Sequence, residues 1–109
     1  MFVLGDNIFL KEMGQRIMIR RKSLRMNQEE LAEKLGVSTQ MISNLELGKK
    51  AIRPENLSKL CATLELSADF VLNGVDKNNV VDIITDKLLH LNEKELQLFF
   101  DKNPEFLQK

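Results

Sequence analysis

Three observations predict an all-α fold. Strand signals are weak across the 109 residues: there is no period-two alternation and no Tyr or Trp, and only five Gly and two Pro. A helix-start pattern recurs four times, as Met26-Asn27 with Leu31, Val37-Ser38 with Ile42, Leu66-Ser67 with Val71 and Leu91-Asn92 with Leu96. In each, the Asn or Ser side chain can accept from an orphan backbone N–H of the first turn, and the flanking apolar pair staples the incoming chain. Residues that stop helices, Gly36, Gly48, Asn73-Gly74 and Asn103-Pro104, stand at matching distances downstream.

The elements follow in order. A first helix opens near Asp6 or Asn7 and runs to about Leu24. The second covers Gln28–Leu35, with Glu30 completing a capping box on Asn27 and Leu31, Ala32 and Leu35 as its inner face. The third covers Thr39–Leu47. The fourth begins with Pro54, whose missing N–H would have had no intrahelical partner, and runs to Leu64. Its Leu57, Leu60, Cys61 and Leu64 form an i, i+3, i+4, i+7 stripe, which makes Cys61 a core residue. The fifth covers Ala68–Leu72. A polar linker, Asp76 to Asn79, leads to a sixth helix over Val80–His90 and a seventh from Glu93, with Glu95 completing a second capping box, to about Lys102. Two units result: residues 1–75, an arm with five helices, and residues 76–109, a linker, a helical hairpin and a short tail.

Hydrophobic residues at 43% and charged residues at 29% describe a chain that folds. Its 16 basic and 16 acidic residues cancel, but not evenly. Between Lys11 and Leu60 stand 11 basic and 6 acidic residues, a net +5 that holds every arginine, whereas residues 61–109 carry 5 Lys and 9 acids, a net −4. Such asymmetry points to a polyanion partner for the first part. Other classes are poorly provided for. A single cysteine excludes an intramolecular disulfide and a Cys-based zinc site, and fits a reducing cytoplasm. One histidine, His90, leaves little material for a catalytic triad. The apolar start lacks a basic n-region, and no run approaches the ~18 apolar residues of a membrane span. Neither an enzyme nor a metal or cofactor site is expected.

The second and third helices, joined by Gly36-Val37-Ser38, form a helix-turn-helix. The window Gln15–Gly74 resembles the DNA-binding domain of phage repressors, Cro proteins and their bacterial relatives, the XRE family. The resemblance is carried by Asn27 to Ser38 (NQEELAEKLGVS), Ile42 to Lys49 (ISNLELGK), Pro54, Leu57, Leu64 to Ser67 and Leu72 to Gly74. It implies a five-helix, lambda-repressor-like domain that works as a dimer on double-stranded DNA.

At about 100° per residue, Thr39, Gln40, Ser43 and Asn44 share one side of the third helix, with Leu47 interrupting in the last turn, while Ile42 and Leu45 lie opposite. Asn and Gln can pair bidentately with adenine, and a Thr methyl can touch a thymine methyl, so these four residues are the base-reading candidates; the bland reading is a solvated polar face. DNA backbone contacts are expected from Gln28, which matches a family glutamine, and from Lys49, Lys50 and Arg53 after the third helix. The resemblance further implies a structural ion pair between Arg21 and Glu46. One departure is Arg25, where the family has glycine: either Arg25 sits at positive φ or the first helix ends differently, and its charge adds a candidate phosphate contact.

Residues 80–100 include 11 apolar residues among 21, too many for a solvated tail. Val80, Ile84, Leu88 and Leu91 on the sixth helix, and Leu96, Phe99 and Phe100 on the seventh, are expected at a dimer contact. Packing on the chain's own domain and binding of another protein are the alternatives, and the apolar arm (Phe2, Val3, Leu4, Ile8, Phe9 and Leu10) is a further candidate for that surface. The expectation is a sequence-specific repressor acting as a homodimer on a palindromic operator, with an antitoxin or mobile-element regulator as the alternative. The acidic hairpin should weaken its non-specific affinity for DNA.

Overall fold

The computed structural model describes residues 7–74 and 80–104, apart from the side chain of Asp82. Phe2, Val3 and Leu4 of the apolar arm and the linker Asp76 to Asn79 lie outside the described residues, whereas Ile8 and Phe9 are exposed and Leu10 is half-buried. Among the described residues seven helices follow one another: α1 (Ile8–Ser23), α2 (Gln28–Leu35), α3 (Thr39–Glu46), α4 (Pro54–Leu64), α5 (Ala68–Asn73), α6 (Val80–Leu88) and α7 (Glu93–Lys102). None of them is long and apolar enough to cross a membrane.

The starts are set by side-chain caps. Asn27 and Asn92 each accept from the N3 amide while Glu30 and Glu95 reach back to the cap N–H, and Ser38 and Ser67 accept from the amides of Met41 and Phe70. Each such cap contributes about 1 kcal/mol. Three boundaries differ from expectation at the C-terminal ends: α5 runs one residue further, to Asn73. Helix α3 stops one residue early, with Leu47 as its cap, and α6 stops at Leu88. There the amide of Leu89 is shared between the carbonyls of Thr85 and Asp86, both at 3.2 Å, and His90 N–H bonds Lys87 at 3.2 Å. This tightening to i→i+3 bonds ends the helix before the cap at Asn92.

Four helices end in the same way, with a left-handed residue and a six-residue backbone bond closing the turn. Gly36 (φ 72°) and Gly48 (φ 76°) serve α2 and α3, but Arg25 (φ 56°) and Glu65 (φ 57°) serve α1 and α4. For Arg25, its own amide bonds Lys22 O at 2.9 Å and Met26 N–H bonds Arg21 O at 3.1 Å. Those bonds define the Schellman geometry, in which a side chain at the left-handed position costs about 1–2 kcal/mol.

The main core joins α1 to α5: Met13, Ile17, Leu31, Leu35, Ile42, Leu45, Leu60, Leu64, Phe70 and Val71 are among its buried members. Cys61 packs at its border as a half-buried residue, and burial raises its thiol pKa, which keeps it an unreactive neutral group. Helix α1 has no single apolar stripe because it is covered on more than one side. Its Ile19 leaves the main core and joins Leu88, Leu96 and Phe100 in a second cluster, flanked by Met18, Ile84, Leu89, Leu91 and Phe99. The hairpin thus packs on the chain's own first helix. Leu88, Leu96 and Phe100, expected at a dimer contact, are instead buried inside one chain, at 3%, 6% and 6% exposure. The physical reason lies in α1: Met18 and Ile19 are apolar residues that the five-helix core does not cover. Of the expected contact residues, Ile84, Leu91 and Phe99 are half-buried and Val80 is exposed.

Candidate nucleic-acid interface

Helix α3 has two chemically distinct sides. Ile42, Leu45 and Glu46 are buried, whereas Thr39 and Gln40 are exposed and Ser43 and Asn44 half-buried. The Gln40 amide donates to Asn44 Oδ1 at 3.1 Å, so the two amides form one hydrogen-bonding surface one turn apart. Met41 is half-buried at the edge, and Leu47 is exposed beyond the last turn. An outward row of hydroxyl and amide groups, backed by a packed core side, can present donors and acceptors at fixed spacing to base edges.

What fixes this helix is a network of three side chains. Arg21, from the last turn of α1, donates from Nε to Glu46 Oε2 at 2.6 Å and from Nη2 to Glu46 Oε1 at 3.0 Å. Its third nitrogen, Nη1, donates to the Met26 carbonyl at 2.7 Å, inside the α1–α2 turn. Glu46 Oε1 also accepts from the Gln28 amide at 2.9 Å. Arg21 and Glu46 are 7% and 6% exposed, so the pair is desolvated, and the Met26 carbonyl and the Gln28 amide each add a hydrogen bond to it. One ion pair therefore ties together the end of α1, the start of α2 and the end of α3. Gln28, expected on the DNA backbone, has its side-chain N–H committed to Glu46; its backbone N–H, in the first turn of α2, has no intrahelical acceptor.

A close backbone crossing adds to that fixation. A Cβ on Gly14 of α1 would lie 2.4 Å from the Leu45 carbonyl oxygen and 2.5 Å from that of Glu46. No side chain fits there, so glycine lets α1 and α3 touch backbone to backbone. Gly48 does the same one turn on: a Cβ there would meet the backbone of Lys11 at 2.7 Å. Gly14 is not among the sequence-predicted site residues. Its signal was a glycine inside an otherwise continuous helical pattern, a position that costs about 1 kcal/mol unless something needs the space.

The other candidates surround this core. Lys49, Lys50 and Arg53 are exposed in the segment after α3, and Arg53 Nε donates to Glu55 at 3.1 Å. Arg25 is exposed in the α1–α2 turn, with Asp101 of α7 3.9 Å away. Arg20 has a role that the sequence did not disclose. Its Nε donates to the Leu64 carbonyl at 2.8 Å and its Nη2 lies 3.7 Å from Glu65, holding the left-handed turn after α4. Burial lowers the Arg20 pKa, opposed by the charge of Glu65.

Comparison with known proteins agrees with this geometry. The helix-turn-helix family model matches residues 17–71. The repressor protein C2 of Salmonella phage P22 is 40% identical over 62 residues, which is 57% of this chain and 29% of that protein. An uncharacterized transcriptional regulator in the ATPase CF(0) region of Rhodospirillum rubrum is 32% identical over 66 residues, 61% of each chain. The chain thus spans less than two thirds of either of these relatives. The HTH-type transcriptional regulator DicA of Escherichia coli is 34% identical over 94 residues, 84% of this chain and 69% of DicA. Among solved structures, the clp gene regulator ClgR from Corynebacterium glutamicum has the same fold (TM-score 0.58, 24% identity, 94% of this chain and 98% of that one). The SinR protein/SinI protein complex aligns with TM-score 0.52 at 25% identity over 89% of this chain and 99% of that one. With residues 17–71 matched by the family model and 69% of DicA covered at 34% identity, the chain belongs to the XRE-type helix-turn-helix family of DNA-binding transcriptional regulators.

Proposed function

We propose that the protein is a sequence-specific repressor that reads a palindromic operator as a homodimer, with α3 in the major groove of each half-site. The observation that carries this reading is the buried Arg21–Glu46–Gln28 network beneath a polar outer side of α3. It gives the row Thr39, Gln40, Ser43 and Asn44 a fixed orientation relative to the N-terminus of α2. In this reading Gln28 and Arg25 on one side, and Lys49, Lys50 and Arg53 on the other, hold phosphates and set the register. Two-fold symmetry places half-sites about one helical turn apart. Because the hairpin's inner side is taken by α1, the second copy meets its outer side, where Val80 and Leu98 are 67% and 52% exposed.

Selection from a random duplex library tests this: an inverted repeat should be enriched. Gln40→Ala or Asn44→Ala should cost about 1–3 kcal/mol at one or two base positions and leave the others unchanged. A library that shows no enrichment at low salt would sink the reading. A second role, capture of a protein by that same outer side of the hairpin, is favoured by one observation: the SinR structure that this chain matches almost end to end is a complex with a second protein, SinI.

A further inference from the structure

We propose that α7 supplies internal counter-anions to the DNA-binding surface: its carboxylates stand beside two cations, Lys22 at the end of α1 and Arg25 in the turn after it, and weaken their attraction for DNA phosphates. The inference rests on the DNA-binding reading and adds a regulatory contact to it. An open cleft of about 870 Å³ separates the α1–α2 turn from α7. Lys22, Arg25 and Asn27 stand on one bank, and Glu93, Lys94 and Gln97 on the other. Lys22 Nζ donates to Glu93 Oε2 at 2.6 Å, and Arg25 Nη2 lies 3.9 Å from Asp101 Oδ1. Both cations sit within a few residues of Asn27, the cap of α2, the end of the helix that meets phosphate in the proposed docking mode.

The two ends of α7 therefore face the same turn with carboxylates, where a duplex would bring phosphates. Lys94 reduces this negative charge without removing it. The hydrogen bond from Lys22, and then its charge, hold the Glu93 carboxyl below its ordinary pKa, so it is an anion at neutral pH. Glu93 engages one of the three N–H donors of Lys22, and Asp101 stands 3.9 Å from Arg25 without a hydrogen bond, so both carboxylates compete with phosphate through charge. The competition is not a consequence of how the hairpin is held. Ile19, Leu88, Leu96 and Phe100 pack it on α1 by apolar contact, so neutralising Glu93 and Asp101 leaves it docked and frees the cations.

The test uses the full chain and a labelled duplex of unrelated sequence at about 50 mM salt, where phosphate contacts dominate affinity. The variant Glu93→Gln with Asp101→Asn should bind about threefold to tenfold more tightly than the parent, with a steeper salt dependence. The control, Asp69→Asn with Asp86→Asn, makes the same change in net charge on α5 and α6. Unchanged affinity in the first variant, or an equal gain in the control, would overturn the proposal. Loss of binding by all three chains would overturn the DNA reading itself, and this inference with it.

Discussion

Helix α1 makes two junctions of opposite character. Toward α3 it offers Gly14, Ile17 and Arg21, which fall within an arc of about 60° on the helix. Toward the hairpin it offers Met18, Ile19 and Lys22, on an arc of about 100° beside the first. The first junction is a backbone crossing with a buried bidentate ion pair; the second is a small apolar cluster rimmed by solvent-exposed ion pairs. A buried pair demands one geometry, because each displaced member leaves an unsatisfied charge. An apolar cluster with screened charges at its edge tolerates displacement. The contrast assigns rigidity to the reading helix and adjustability to the hairpin.

The largest expected effect breaks the first junction. Arg21→Ala or Glu46→Ala should each destabilise the fold by about 3–5 kcal/mol, because the partner remains buried without its counter-charge. Chemical denaturation would read this as a shifted midpoint, and the double variant should cost less than the two single changes together. Additive losses would show that the two residues act separately.

Breaking the second junction should have a different reach. Phe100→Ala removes the largest side chain of the hairpin cluster and should weaken docking by about 3 kcal/mol. Hydrogen exchange should quicken across α6 and α7 while α2 and α3 keep their protection. A uniform loss of protection over the whole chain would contradict the distinction between the junctions. Gly14→Ala is intermediate in size. Its new methyl has no room between the carbonyls of Leu45 and Glu46, so α1 and α3 must part, at about 1–3 kcal/mol. Because that motion shifts α3 against α2, operator binding should fall by more than the stability loss alone accounts for.

How much of this was legible differs between the two junctions. Both limits of α2, from Asn27 to Gly36, and the start of α4 at Pro54 follow from local chemistry, because caps and breakers act within a few residues. The end of α6 was not legible, since no glycine or asparagine marks it and the stop is a tightening of the last turn. The polar side of α3 could be read from spacing, but the crossing at Gly14 could not, because a missing Cβ does not say which backbone fills its space. The hairpin pattern states that Leu88, Leu96 and Phe100 are buried but not against what. Their partners Met18 and Ile19 lie in a helix already rich in core residues. Glu65 was hidden for the opposite reason: it looks like an ordinary helical glutamate, and the left-handed turn it occupies is held from afar by Arg20.

The smallest effect sharpens the comparison at the one residue that serves both junctions' neighbourhood. Arg25 occupies the left-handed position after α1 at φ 56°, and its guanidinium lies 3.9 Å from Asp101. Arg25→Gly removes the Cβ clash and should stabilise the domain by about 1 kcal/mol. The Asp101 pair is too exposed, and too long, to offset that gain. If Arg25 also holds phosphate, the same substitution should weaken DNA binding equally on every sequence and reduce the salt slope by about one. Higher stability with lower affinity would show that this position trades backbone comfort for a cation at the DNA surface. Higher stability with unchanged affinity would confine Arg25 to its pairing with the hairpin.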